Sequence, residues 1–125
     1  MNEAILVSTS LPLIIGSGFG HGHKEQQFVQ QLNVALQAAK MNWHVSLDDT
    51  FGDSQAIHQK QPQALILKNG LQHQFNQSNF DSNRIYQLDA LTLSTLSTKS
   101  VVNFLAVIII VHLIHFYLQC AIKKD

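Results

Sequence analysis

A glycine-rich segment that carries two histidines and a lysine is the part of the chain best suited to binding a ligand. Glycine permits positive φ angles and lets backbone N–H groups approach an anion, and a helix N-terminus adds a partial positive charge. Since residues 16–24 directly precede a helical pattern, they predict a site for a nucleotide or another phosphate-containing ligand. The residues expected to bind it are Gly16, Ser17, Gly18, Gly20, His21, His23 and Lys24.

This glycine loop matches no strict phosphate-binding signature, so a surface turn without a ligand is the alternative. It contains no Walker A sequence, and the GxGxxG pattern would need glycine where the chain has His21. His21 and His23 are spaced so that both imidazoles could meet one metal ion, but the nearest further ligands lie far along the sequence. We therefore predict no metal site, and the sequence indicates no particular cofactor.

The sequence offers no convincing catalytic residue. No serine lies in a GxSxG elbow, and the single cysteine, Cys120, ends an apolar run, where it is expected to behave as a small hydrophobe. The pair Asp48-Asp49 is expected to consist of solvated turn residues. We therefore expect a protein that is not an enzyme.

The distribution of charge argues against a nucleic-acid partner. Residues 1–98 carry five Lys or Arg against seven Asp or Glu, whereas residues 99–125 carry three Lys against one Asp. A nucleic-acid surface needs a cluster of basic side chains, which the acidic body of the chain lacks.

The longest apolar run predicts a membrane-spanning helix. Residues 101–120 carry no charge and lie between Lys99 and the pair Lys123-Lys124. About 20 apolar residues are needed for a helix to cross the hydrocarbon core of a bilayer. The alternative is a helix of a soluble protein that is buried in an oligomer.

Three polar side chains share one face of that predicted helix. His112, His115 and Gln119 are spaced three and four residues apart. Because lipid offers such groups no hydrogen bonds, we expect them to contact a partner helix or a second copy of the chain. A partly exposed face of a soluble helix is the alternative.

The elements around these features alternate between strand and helix. Apolar runs at 4–7, 13–15, 43–47, 64–67 and 84–88 predict strands, and the apolar period of residues 24–40 predicts a helix. A short helix capped by Asp53 or Ser54 is expected to run through Lys60. This order predicts an α/β fold: a small, mostly parallel sheet with flanking helices, plus one long apolar C-terminal helix that acts as a transmembrane anchor. The predicted organisation is an α/β domain at residues 1–98 and an anchor at 99–125.

The rhythm of strands and helices is similar to that of receiver-type and flavodoxin-like domains and of the small IIB phosphocarrier subunits of sugar transport. A receiver has its phosphoacceptor Asp at the end of the third strand, where this chain has Lys68. The IIB subunits have a cysteine after the first strand, where this chain has Ser8 or Gly16. The functions of these families therefore do not carry over.

The sequence thus favours a non-catalytic accessory or interaction subunit that is anchored to a membrane complex. A soluble protein that binds a phosphate-containing ligand at residues 16–24 is the alternative. Because no export signal is apparent and only five residues follow Cys120, we expect the domain to lie on the cytoplasmic side of the membrane. Lys123 and Lys124 argue weakly for the opposite orientation.

Overall fold

The computed structural model describes residues 2–8, 23–71, 75–78 and 80–123. Within these ranges the chain forms four β-strands and four α-helices. In chain order they are β1 Asn2–Val7, α1 His23–Ala38, β2 Trp43–Leu47, α2 Ser54–Gln59, β3 Ala64–Leu67, β4 Ile85–Gln87, α3 Ala90–Ser94 and α4 Lys99–Lys123.

The strands form one parallel sheet in the order β2-β1-β3-β4. From β1 the chain passes through α1 to β2 on one side, and then through α2 to β3 on the other side of β1. The strand order therefore reverses between β1 and β3. The predicted α/β class, with a parallel sheet, flanking helices and a long apolar C-terminal helix, is confirmed.

Both faces of the sheet are covered, which explains why its inner strands are continuous apolar runs. Along β1, Ala4 and Leu6 belong to the core cluster that also contains Phe28 of α1. Ile5 and Val7 alternate with them and belong to a second cluster on the opposite face. Helices α1 and α3 and the start of α4 therefore cover one face, and α2 covers the other.

Most of the predicted elements agree with the structure. The strands at 43–47 and 64–67 are confirmed residue for residue, and Asp53 caps α2 as expected. The strand predicted at 13–15 lies outside the described residues. The short helix α3 was not expected: the carboxylate of Asp89 accepts the N–H of Thr92 and so starts a helix in a segment that has no helical period.

The edge strand β2 is paired by a side chain of α1. The amide of Asn33 donates to the carbonyl oxygen of Val45 and accepts its N–H, both at 2.9 Å. An unpaired edge would leave these backbone groups open to another chain. Asn33 thus satisfies the backbone groups of Val45 at the outer edge of β2 and holds α1 against the sheet.

Helix α4 divides into a docked part and an exposed part. Val101 and Leu105 are fully buried in the apolar cluster between α1 and the sheet. Ile108 and Ile109 pack against that cluster. From residue 110 onward, every described side chain of α4 is exposed. By length and composition, Lys99–Ala121 could cross a membrane, and 12% of its most apolar part is buried. The first turns of α4 therefore contribute to the core of the domain.

Candidate functional site

The carboxyl ends of β1 and β3 meet where the strand order reverses. In open parallel sheets, ligands bind in the crevice outside this point. Ser8 follows β1 directly and is buried, and Lys68 follows β3 and donates its backbone N–H to Val7. The first turn of α1, with Lys24 and Glu25, lies at the same edge of the sheet. At this edge the first turn of α1 and the residues that follow β3 line a single crevice.

Two of these polar groups form a partly buried ion pair. The ammonium Nζ of Lys68 lies 2.6 Å from Oε1 of Glu25. The Glu25 side chain is only 5% exposed, whereas that of Lys68 is 35% exposed. A buried carboxylate needs such a partner, because desolvation of an unpaired charge is costly. Lys68 therefore balances Glu25 and still presents part of its ammonium group to solvent.

Lys24, one of the predicted ligand-binding residues, lines the same crevice. Its Nζ donates to the carbonyl oxygen of Ser94, which ends α3, at 3.1 Å. The crevice has a volume of about 370 Å³. It is lined by Lys24, Glu25, Lys68, Asn69, Ala90, Leu93 and Ser94.

The remaining residues of the predicted loop site are not placed around this crevice. Gly16, Ser17, Gly18, Gly20 and His21 lie outside the described residues. His23 is the first residue of α1, and the structure does not describe its side chain. Their role in binding a ligand stays a prediction.

Glu25 and Lys68 were missed as site residues in the sequence. Lys68 had a usable signal, because it directly follows a buried strand that is predicted to end at the ligand edge. Glu25 lay in the first turn of the predicted helix, where acidic residues are common. Only the fold shows that the two side chains meet across 43 residues of sequence.

The acidic turn after β2 has a structural role. Asp48 is only 2% exposed, so the expectation of two solvated turn carboxylates is wrong for this residue. Its carboxylate accepts the N–H and the hydroxyl of Thr50, at 3.0 and 2.6 Å, and the N–H of Gly52 at 2.7 Å. Burial is tolerated because these donors satisfy the carboxylate. Asp49 instead pairs with Lys60.

Asp89, which follows β4, caps α3 at the same edge of the sheet. Hydrogen bonds from Thr92, chiefly that of its backbone N–H at 2.6 Å, lower the pKa of the Asp89 carboxyl below its usual range. The charged carboxylate thus stabilises the helix that forms one wall of the crevice.

The predicted polar stripe lies on the exposed part of α4. Nε2 of Gln119 lies 3.0 Å from Nε2 of His115, and both side chains are exposed. These two groups therefore form a hydrogen bond within one helix. His112 is a residue of the same helix, although its side chain is not described.

The crevice at the carboxyl edge combines two ammonium groups with one buried carboxylate, which suits the binding of an anion. Across the described ranges, no three His, Cys, Asp or Glu side chains come together in a way that could hold a metal ion. The chain matches no family model, no curated protein and no solved structure.

Proposed function

We propose that this protein is a non-catalytic accessory or interaction subunit that α4 attaches to a membrane complex. The observation that carries the proposal is the apolar surface of α4 from Val107 onward. Eight large apolar side chains there are each more than half exposed. They are Val107, Ile110, Val111, Leu113, Ile114, Phe116, Tyr117 and Leu118. An apolar surface of this extent is uncommon on a soluble monomer and is typical of a membrane or partner contact.

The arrangement of these side chains around the helix favours lipid. At about 100° per residue, they cover roughly 220° of the circumference of the helix. The remaining sector holds the stripe of His112, His115 and Gln119. A surface that is apolar on most sides suits contact with acyl chains, and the narrow polar sector suits contact with one partner helix.

The length of the exposed part limits how α4 can enter a bilayer. The 25 residues of α4 extend about 37 Å at 1.5 Å per residue, enough to cross a core of about 30 Å. The part from Ile110 to Lys123 extends only about 21 Å. With Val101 and Leu105 buried in the domain, the helix therefore reaches past the bilayer midplane but does not cross the whole hydrocarbon core. A complete span requires the first turns to leave the domain.

Fractionation tests the attachment. We expect the chain to stay with membranes after a carbonate wash, and the double variant Ile110→Lys with Ile114→Lys to be released. The matched control places two lysines at exposed apolar positions of the domain, Val34→Lys and Leu91→Lys. Wild-type protein that is soluble after the wash would contradict the proposal.

Cys120 reports the depth and the orientation of the helix, because it is the single cysteine of the chain and is exposed. A membrane-impermeant maleimide labels it from the outside of intact cells if α4 spans with the domain in the cytoplasm. A helix that stays docked buries Cys120 in lipid, and labelling then requires detergent. Protease that removes the domain from intact cells would contradict the cytoplasmic orientation.

The polar stripe is proposed as the contact with a partner helix or a second copy. Replacing His112, His115 and Gln119 together by Leu should preserve membrane insertion and abolish cross-linking to the partner. Asn103→Leu is the control, because Asn103 is an exposed polar residue in the docked half of α4. An unchanged cross-linking pattern in the triple variant would rule out the stripe as an interface.

A second function is favoured by the crevice at the carboxyl edge, which offers Lys24 and Lys68 to a phosphate-containing ligand. Binding should raise the melting temperature of the protein when nucleotides or sugar phosphates are added. Gly18→Val should abolish this shift, and Lys24→Ala should weaken binding by about 1 kcal/mol through the lost charge. An unchanged melting temperature at high ligand concentration would rule out this function.

A further inference from the structure

A second crevice opens at the amino edge of the sheet, where α4 leaves the domain. Its volume is about 430 Å³, within the usual range for small-molecule sites. The lining residues are Asn2, Trp43, Gln63, Arg84, Ile108, Ile109 and Leu113. The first four lie at or just before the starts of the four strands. This crevice and the one beside Lys68 are therefore at opposite ends of the sheet.

The tryptophan of this crevice carries an unsatisfied donor. Trp43 is 3% exposed, and its indole Nε1 is buried with no hydrogen-bond partner in the described part of the chain. Buried donors are nearly always paired in proteins, because burial removes them from water. Since the indole N–H can only donate, the missing partner is an acceptor.

The same crevice is lined by Arg84, a residue of intermediate burial. Arg84 makes no side-chain hydrogen bond or ion pair with any residue that the structure describes. The neighbouring carboxylate of Asp81 accepts the N–H of Asn83 at 3.0 Å and thereby caps the turn that precedes β4. Arginine presents paired N–H donors that match the oxygens of a phosphate group. The crevice therefore offers a cation with several N–H donors to an anionic ligand.

The remaining wall of the crevice is apolar and belongs to α4. Ile108 and Ile109 line it and pack against the domain, and Leu113, one turn further along, is 58% exposed. This wall continues directly into the exposed apolar surface of the helix. A ligand that fits both parts has an anionic head beside Arg84 and a hydrocarbon chain along α4.

We propose that this crevice binds the headgroup of an anionic phospholipid. The phosphate accepts from Arg84 beside Trp43, and an acyl chain lies along Ile109 and Leu113. The site goes beyond membrane attachment, because it selects the charge of the lipid. It also places the amino edge of the sheet at the bilayer surface and leaves the Lys68 crevice facing away from the membrane.

Trp43 supplies the signal for a direct test, because it is the only tryptophan in the chain. The full chain in mild non-ionic detergent is titrated with phosphatidylglycerol or phosphatidylcholine carrying brominated acyl chains, which quench tryptophan at short range. We expect phosphatidylglycerol to quench Trp43 at lower concentration than phosphatidylcholine. Arg84→Gln should weaken phosphatidylglycerol binding roughly tenfold, and Arg84→Lys should restore most of it.

Lys99→Gln is the matched control, because it removes one exposed positive charge from the start of α4. Its binding should equal that of the wild type. An unshifted tryptophan emission maximum in Arg84→Gln would establish that this variant is folded. Equal quenching by the two lipids, or no effect of Arg84→Gln, would overturn the proposal.

Soluble glycerol phosphate separates a lipid site from a site for a free anion. We expect it not to compete with brominated phosphatidylglycerol, because it lacks the chain that contacts α4. Competition at equal concentration would overturn the assignment to lipid. Retention of Arg84→Gln in the carbonate-washed pellet, together with unchanged lipid selectivity, would refute this site and leave the proposed membrane attachment intact.

Discussion

Replacing Leu105 by alanine should destabilise the α/β domain even though residue 105 belongs to α4, the proposed membrane anchor. Leu105 is fully buried in the cluster that contains Leu32 and Trp43. The substitution removes three carbon atoms, which costs about 2.4 kcal/mol at about 0.8 kcal/mol per buried methylene group. The residual cavity adds a further penalty, so we expect a loss of about 3 kcal/mol, within the range of about 2–5 kcal/mol seen for such changes.

Urea unfolding followed by the fluorescence of Trp43 measures this loss, because the reporter belongs to the same cluster. With a urea slope of about 1.5 kcal/mol per molar, a loss of about 3 kcal/mol lowers the midpoint by roughly 2 M. Leu118→Ala is the matched control, since this leucine lies on the same helix and is 55% exposed. Its free energy of unfolding should change by less than about 0.5 kcal/mol.

Equal urea midpoints for Leu105→Ala and Leu118→Ala would contradict the expected loss of stability. Such a result would mean that the first turns of α4 do not support the domain. Docking and a complete membrane span would then not compete for Val101 and Leu105.

Three further predictions concern single residues of the domain. Asn33→Ala should lower the free energy of unfolding in urea by about 1–3 kcal/mol, because it leaves the edge N–H and carbonyl of Val45 unpaired; an unchanged midpoint would contradict this. Lys40→Gly should raise the melting temperature, because Lys40 has a φ of 58°. This left-handed conformation costs non-glycine residues about 1–2 kcal/mol. A lower melting temperature would contradict this and would show that the lysine side chain contributes more to stability than relief of the backbone strain. Because hydrogen bonding to Thr92 lowers the pKa of Asp89, its charge stabilises the fold at pH values above the usual aspartate range, and this contribution is lost as the pH falls through the lowered pKa. Acid unfolding of Asp89→Asn should lack this component, and an NMR titration that finds an ordinary pKa for Asp89 would contradict it.

Sequence periodicity alone was sufficient to predict most of the described elements of the fold, although not the short helix α3. The runs 43–47 and 64–67 were recognisable as strands, the first half-buried and the second buried, because each has the length of one strand and is flanked by polar or turn residues. The helical period of 24–40 and the uncharged run of 101–120 were equally clear. Their order already implied a parallel sheet, since α/β alternation leaves few other topologies. Lys24 was identified as a candidate site residue for the same reason: it begins the helix that follows the first strand.

Tertiary structure decided which of these residues meet. Glu25 and Lys68 form an ion pair. Trp43 and Arg84, which are 41 residues apart in the sequence, line one crevice. Such contacts arise from the strand order, which no local pattern encodes. The division of α4 also depended on the fold, because a uniformly apolar sequence does not indicate which turns contact protein and which remain exposed. Burial of Leu105 against α1 and the sheet is what separates the docked part of α4 from its exposed part.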